Sequence, residues 1–205
     1  MAVKRKWNWL VYPAAALGLL VLLGAVVAPV VMRAYNMPSG SMLPNLRVGD
    51  HFFAWTGYYA THAPERGEIA LFLHEDTTFV KRVIGLPGDT IQMKAGRLWI
   101  NGTEVPRTED GSETSNTGAV LKRYRETLPN GLSYPILEQS DDGMLDDTAP
   151  MQVPADFYLV MGDNRDNSND SRVPEFGPVP RDMFTDRPFL IYFSYTASRI
   201  GTRLN

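Results

Sequence analysis

The sequence predicts an all-β domain of predominantly antiparallel sheet, with an inserted β-ribbon, tethered by one N-terminal transmembrane helix. Three observations lead there: an uncharged run from Leu10 to Met32, a recurrence of short β-branched and aromatic runs after residue 33, and an Asn101-Gly102 pair between two such runs. Helical periodicity is scarce beyond residue 33, whereas strands are the usual outcome of runs of this length and composition.

The first 32 residues come first in the argument. At about 1.5 Å per residue the uncharged run reaches roughly 34 Å as a helix, enough to cross a hydrocarbon core of about 30 Å. A cleavable signal peptide shares the basic start and apolar stretch, but its apolar region is usually only about 7 to 15 residues long. Pro29 also directly follows the one plausible small-residue cut site, Val26-Val27-Ala28. A retained anchor is therefore preferred, with Pro13 and Pro29 tolerable near its two ends. Lys4, Arg5 and Lys6 precede the run while Arg33 and Arg47 follow it, so the excess of positive charge modestly favours a cytoplasmic N-terminus. The expected organisation is a tail over 1–9, a helix over 10–32 and an extracytoplasmic β domain over 33–205.

Within that domain, strands are expected over Val48 to Trp55, Glu68 to His74, Thr78 to Ile84, Thr90 to Lys94, Arg97 to Ile100, Ala119 to Tyr124, Phe157 to Met161 and Phe189 to Tyr195. Asn101-Gly102 predicts a type I′ hairpin between Arg97 to Ile100 and Thr103 to Val105, because both turn residues must take positive φ. The stretch from Glu104 to Pro150 is rich in Thr, Ser, Asp, Glu and Gly, and it reads as a polar β-ribbon with mobile loops.

Composition narrows the chemistry. There is no Cys, which removes thiol catalysis, Cys-zinc sites and disulfides, and His51, His62 and His74 fit no metal-ligand spacing. No metal or cofactor is expected, so hydroxyls, carboxylates or amines must act. The net charge is −3, and because the first 32 residues hold three bases and no acid, the remainder is more acidic still. That balance argues against nucleic acid as a partner.

Three segments carry candidate chemistry. Met37-Pro38-Ser39-Gly40-Ser41-Met42-Leu43-Pro44 sets two hydroxyls around a glycine between prolines. It must be a loop, and backbone amides near Ser41 can converge on an oxyanion as acyl transfer requires. Taken alone, a Ser-rich turn without a role is the preferred reading. Next, Thr78 to Asp89 is a strand followed by a turn, in which Phe79, Lys81 and Val83 share one face and Val80 and Arg82 the other. Lys81 is thus flanked by apolar neighbours. To act as a base it must be neutral, and moving its pKa from about 10.4 to near 7 or 8 takes roughly 3 to 4 kcal/mol of differential stabilisation, which desolvation can supply. Without Ser41, an exposed Lys81-Arg82 pair is preferred. Finally, Gly162 to Arg172 is dense in hydrogen-bonding side chains. A calcium loop fails there, since Ser171 stands where an EF-hand needs Gly and Gly177 where it needs Glu. A rigid polar loop remains, in which Asp163, Asp170 and Arg172 pair and Ser168 meets a catalytic amine.

Together these segments resemble the bacterial type I signal peptidases, membrane-bound serine proteases with a Ser-Lys dyad that remove signal peptides from exported proteins. The resemblance rests on Pro38-Ser39-Gly40-Ser41-Met42-x-Pro44, Arg66-Gly67-Glu68-Ile69, Val80 through Asp89 and Gly162 through Arg172, in the family's order, with Ser198-Arg199-Ile200-Gly201 near the end. It covers most of residues 35–105 and 157–201. It implies Ser41 as nucleophile and Lys81 as general base, Ser39 and the Ser41 amide as oxyanion hole, and Ser168 as the residue orienting the lysine. Arg82, Asp163, Asp170 and Arg172 would support them. Tyr35, Met37, Pro38, Met42, Leu46 and Val80 would line pockets for small side chains, giving cleavage after Ala-x-Ala. Implied partners are signal peptides of exported precursors, membrane lipid and the translocation machinery, at the periplasmic side of the bacterial inner membrane. Asn45 and Phe79 depart from the Thr and Tyr usual in the family, which bears on specificity and lysine tuning.

Two rivals stay within reach of the sequence: a conjugation or pilin-maturation peptidase of the same superfamily, and a non-catalytic, membrane-tethered peptide-binding β domain. Repressor-type Ser-Lys autoproteases share the dyad but need a DNA-binding domain, for which there is no room.

Overall fold

The computed structural model describes residues 13, 15–17, 31–115 and 118–204. The expected membrane span over 10–32 therefore lies almost wholly outside the described residues, and no described helix is long and apolar enough to cross a membrane. What is described is β structure with short 3-10 turns.

In chain order the strands are β1 (Met32–Asn36), β2 (His51–Trp55), β3 (Ile69–His74), β4 (Thr77–Gly85), β5 (Thr90–Lys94), β6 (Arg97–Ile100), β7 (Thr103–Glu104), β8 (Arg107–Thr114), β9 (Val120–Thr127), β10 (Ser133–Glu138), β11 (Met151–Gln152), β12 (Phe157–Met161), β13 (Val179–Pro180) and β14 (Arg187–Phe193). They form four sheets, ordered β1-β2-β14, β13-β12-β4-β3, β11-β5-β6-β7 and β10-β9-β8, and the pairings between these strands are antiparallel. The expected hairpin is present: Ile100 pairs with Thr103, and Asn101 and Gly102 take φ of 53° and 77°.

Alternation along β4 explains how one strand serves two cores. Phe79 and Val83 pack with Ala70, Phe72 and Val160 on one side, while Val80 packs with Ile69 and Leu71, and Ile84 with Ile91 and Leu159, on the other. Because both faces of the strand are covered, Lys81 and Arg82, which follow the same alternation, are buried as well, at 3% and 2% exposure.

The ribbon over β8, β9 and β10 differs from its polar sequence. Its inner face supplies Tyr124, Leu128, Tyr134 and Ile136 to the core built around β5 and β6. A buried ion pair closes it onto the rest of the chain: Arg165 Nη1 donates to Glu126 Oε1 at 2.7 Å, its second guanidinium nitrogen donates to Oε2, and the Tyr134 hydroxyl donates to the same Oε2 at 2.8 Å. A charge left alone at such depth is expensive, so truncating one member of a buried pair typically costs about 3 to 5 kcal/mol. Glu126→Ala is expected to lower unfolding stability by that amount in urea denaturation, while an exposed ribbon acid replaced likewise, Glu109→Ala, changes it by less than about 0.5 kcal/mol.

Candidate functional site

The 37–44 segment folds as a tight loop whose backbone is held from outside. The Asn164 amide donates to the Ser41 carbonyl at 3.0 Å, the Asn164 side-chain amide donates to the Gly40 carbonyl at 2.9 Å, and the Leu46 amide donates to Met42 at 2.8 Å. The polar loop after β12 thus braces the serine loop. Gly162 permits the approach: a Cβ there would stand 2.2 Å from Ser168 Oγ and 2.6 Å from the Ser41 carbonyl oxygen. No side chain fits in that gap.

Ser41 and Lys81 open onto one cleft of about 370 Å³, also lined by Met37, Pro38, Ser39, Thr77, Thr78, Phe79, Val80, Asn167 and Asn169. Ser41 Oγ shares a hydrogen bond with Ser39 Oγ at 3.2 Å, and Lys81 Nζ donates to Ser168 Oγ at 3.0 Å. The Ser41 hydroxyl and the Lys81 amine share the cleft without a direct hydrogen bond between them, each being held instead by a neighbouring hydroxyl.

Burial sets the state of the amine. Desolvation drives the Lys81 pKa down from its ordinary 10.5 to about 8; Asp170 and Asp163 pull the other way, and Arg172 opposes them. Each of the two aspartates is itself matched by an arginine. Arg82 grips Asp163 through Nε at 2.7 Å and Nη2 at 2.8 Å, and Arg172 grips Asp170 through Nε at 2.9 Å and Nη2 at 3.0 Å. Asp170 also accepts the Gly162 amide at 2.9 Å. Burial pushes the Asp170 carboxyl up, but the Arg172 charge and these hydrogen bonds outweigh it and hold it below the usual range.

Of the residues singled out from sequence, Ser39, Ser41, Lys81, Met37, Pro38 and Val80 meet at the cleft, and Ser168 lies against the lysine. Met42 and Leu46 are fully buried in the core beneath, where the tight loop turns them inward, and are not among the residues lining this cleft. Tyr35 packs on the same core with its hydroxyl donating to Asp186 at 2.6 Å. Asp163 takes Arg82 rather than Arg172 as its partner. Asn45, the departure after the motif proline, donates to Asp163 Oδ2 at 2.7 Å and to the Pro135 carbonyl at 2.8 Å, and so joins the serine loop to both the acid pair and the ribbon. Phe79 stacks on Phe72 and meets Phe176 edge-on, forming an apolar wall beside Lys81. Thr77, Thr78, Asn167 and Asn169 were missed, although Asn167 and Asn169 flank Ser168 in the sequence.

A hydroxyl and an amine with a lowered pKa in one partly apolar cleft are a combination that hydrolases of acyl bonds use. Sequence comparison gives this class its family. The profile described as "Signal peptidase, peptidase S26" matches residues 7–193. Signal peptidase I of Rickettsia bellii (strain OSU 85-389) is 31% identical over 86% of this chain and 71% of its own length. That of Rickettsia canadensis (strain McKiel) is 33% identical over 85% of this chain and 76% of its own. A crystal structure of a signal peptidase I from Enterococcus faecalis V583, 27% identical, covers 60% of this chain and 94% of that one with a TM-score of 0.37. The chain belongs to the signal peptidase family S26, with the type I enzymes, and is a serine endopeptidase.

The lowered lysine pKa has a consequence for stability. Between about pH 8 and 10.5 the unfolded chain carries the Lys81 proton and the folded chain does not, so stability rises with pH across that window. Below pH 8 the folded state bears the full cost of a buried ammonium, up to about 3 kcal/mol. Lys81→Met is expected to be the more stable protein at pH 7 in chemical denaturation, and its advantage should shrink steadily from pH 8 to 10.5.

Proposed function

We propose that this chain cleaves N-terminal signal peptides from exported precursors after small residues, with Ser41 as nucleophile and Lys81 as general base. The observation that carries the reading is the shared cleft: a hydroxyl and an amine whose pKa is lowered to about 8, the one steadied by Ser39 and the other by Ser168. Substrate binding has to bring the Lys81 nitrogen and Ser41 oxygen within hydrogen-bond reach, about 2.6 to 3.2 Å. Neutral Lys81 then takes the hydroxyl proton as Oγ bonds to the scissile carbonyl carbon. The Ser39 hydroxyl and the Ser41 amide receive the negative oxygen, in the manner of other oxyanion holes. When the carbon–nitrogen bond breaks, Lys81 returns the proton to the leaving amine. Water, deprotonated by the same lysine, cleaves the acyl-enzyme and frees Ser41.

The preference for Ala-x-Ala follows from steric limits: Met37, Pro38 and Val80 stand against the serine, so only short side chains fit beside them. The apolar run over 10–32 supplies the anchor, with residues 33–205 as the extracytoplasmic domain on the periplasmic side of the inner membrane. Support for a lipid contact comes from the sheet of β1, β2 and β14, where Phe53 stacks on Tyr192 at 4.3 Å and Trp55 on Phe189 at 4.4 Å, with Phe193 and Tyr195 exposed beyond them. Aromatic rings of this kind favour the membrane interface. Such a site meets signal peptides while their apolar segments are still in the bilayer, near the translocation machinery that delivers them.

The test is cleavage of an Ala-x-Ala precursor by the full chain in detergent. Wild type and the exposed control Ser112→Ala are expected to cut after the third residue, and Ser41→Ala and Lys81→Met to lose at least about 1,000-fold. Because only the neutral amine is a base, wild-type kcat/KM should climb with pH through about 8 and then level. A Lys81→Met enzyme with undiminished kcat/KM overturns the assignment of the base, and an inert wild type favours a peptide-binding domain.

A further inference from the structure

A second polar cluster lies away from the cleft, where the ribbon meets the catalytic loop. Glu138 ends β10, Asp146 sits in the connection to β11, and Asp166 lies in the 3-10 turn Arg165–Asn167, two residues before Ser168. One oxygen from each carboxylate falls within 4.8 Å of the others. Glu138 and Asp146 are buried, at 1% and 0% exposure, and Glu138 Oε2 and Asp146 Oδ1 have no hydrogen-bond partner. Their sister oxygens are occupied. Asp146 Oδ2 accepts the Gly143 amide at 2.7 Å, and Asp166 Oδ2 accepts the amides of Gln139 and Ser140 at 2.6 and 3.2 Å.

Among the described residues, the neighbouring arginines leave two of the cluster's oxygens without a partner. Arg165 is committed to Glu126 and Arg172 to Asp170. Arg107 pairs with Glu138 through Oε1 at 3.4 Å, and also donates to the Gly96 carbonyl at 2.9 Å and to Asp141 at 2.8 Å, leaving Glu138 Oε2 uncovered. Glu138 and Asp146 thus each keep one buried oxygen without a partner in a cluster with a third acid, and either a proton or a cation must relieve such an arrangement. Backbone amides hold Asp146 and Asp166, and the missing Cβ at Gly143 lets both approach closely, since a Cβ there would stand 2.7 Å from Asp166 Oδ1 and 3.1 Å from Asp146 Oδ2. Asp166 is exposed and, with Gln139, borders a depression of about 340 Å³ beside the serine loop, which gives an ion a way in.

We propose that Glu138, Asp146 and Asp166 bind one divalent cation, calcium in preference to magnesium. All-oxygen carboxylate ligands suit these hard ions. Calcium, with its longer bonds of about 2.3 to 2.6 Å and flexible geometry, tolerates ligands drawn from three separate segments better than magnesium, which demands near-octahedral geometry at about 2.1 Å. The ion fastens the ribbon to the turn that carries Ser168. This inference stands apart from the peptidase reading and is tested without any activity measurement.

The full chain in detergent, stripped with EDTA, is titrated with calcium chloride or magnesium chloride while thermal unfolding is followed by tryptophan fluorescence. Wild type is expected to gain about 5 °C or more in Tm at saturating calcium, and less with magnesium. Glu138→Gln should lose the shift and Asp142→Asn, an exposed acid outside the trio, should keep it. Calorimetric titration of calcium into the stripped wild type should give one ion per chain, a readout that holds even if Glu138→Gln fails to fold. No calcium shift by about 10 mM, an equal shift in Glu138→Gln, or no saturable heat overturns the proposal.

Discussion

The rest of the site depends on burying a lysine amine without giving it a carboxylate of its own. Asp163 and Asp170 both lie close enough to act on Lys81, and an unpaired carboxylate at that depth would hold the ammonium proton firmly. Arg82 and Arg172 prevent this by gripping the two acids through two nitrogens each. With the charges matched, desolvation decides the balance and the amine comes down to about 8. Arg172 also lowers the lysine pKa directly through its own charge, so four buried ionic groups surround one amine.

That electrostatic arrangement requires close packing, and Gly162 is where the packing is tightest. Ser168, the Ser41 carbonyl and the Gly162 backbone converge so closely that a single methyl group would displace one of them. The same residue donates its amide to Asp170, so the gap and the acid pair are one structure. Asn164 completes it by bonding Gly40 and Ser41 from the neighbouring position. The serine loop thus owes its shape largely to a segment more than a hundred residues later in the chain.

Legibility in the sequence followed the range of the interaction. Alternation along Thr78 to Ile84 put Lys81 among apolar neighbours, and the Asn101-Gly102 turn was readable because its geometry is local. The strands β8 and β10 were not, since a ribbon with one solvated face spreads its few buried residues among acids and glycines, and only the fold shows that Tyr134 and Ile136 reach the core. β1 was hidden at the end of an apolar run that dominates any hydropathy reading. The partner of Asp163, the inward turn of Met42 and Leu46, and the bond from Asn45 to Asp163 are all long-range outcomes that no spacing encodes. The same holds for Glu138, Asp146 and Asp166, which come from three separate segments and form no motif.

The ribbon is therefore bound tightly to the loop over 162–172 and to the serine loop. Glu126 and Tyr134 close over Arg165, the Pro135 carbonyl takes a hydrogen bond from Asn45, and the Gln139 and Ser140 amides bind Asp166. Arg165 and Asp166 are only three and two residues from Ser168, and Asn45 lies four residues after Ser41. A displacement of the ribbon would thus be transmitted to both sides of the serine–lysine cleft through short, rigid stretches of backbone. Leaving one member of a buried pair without its partner is strongly destabilising, so the match between Glu126 and Arg165 is what keeps the ribbon pressed on both loops.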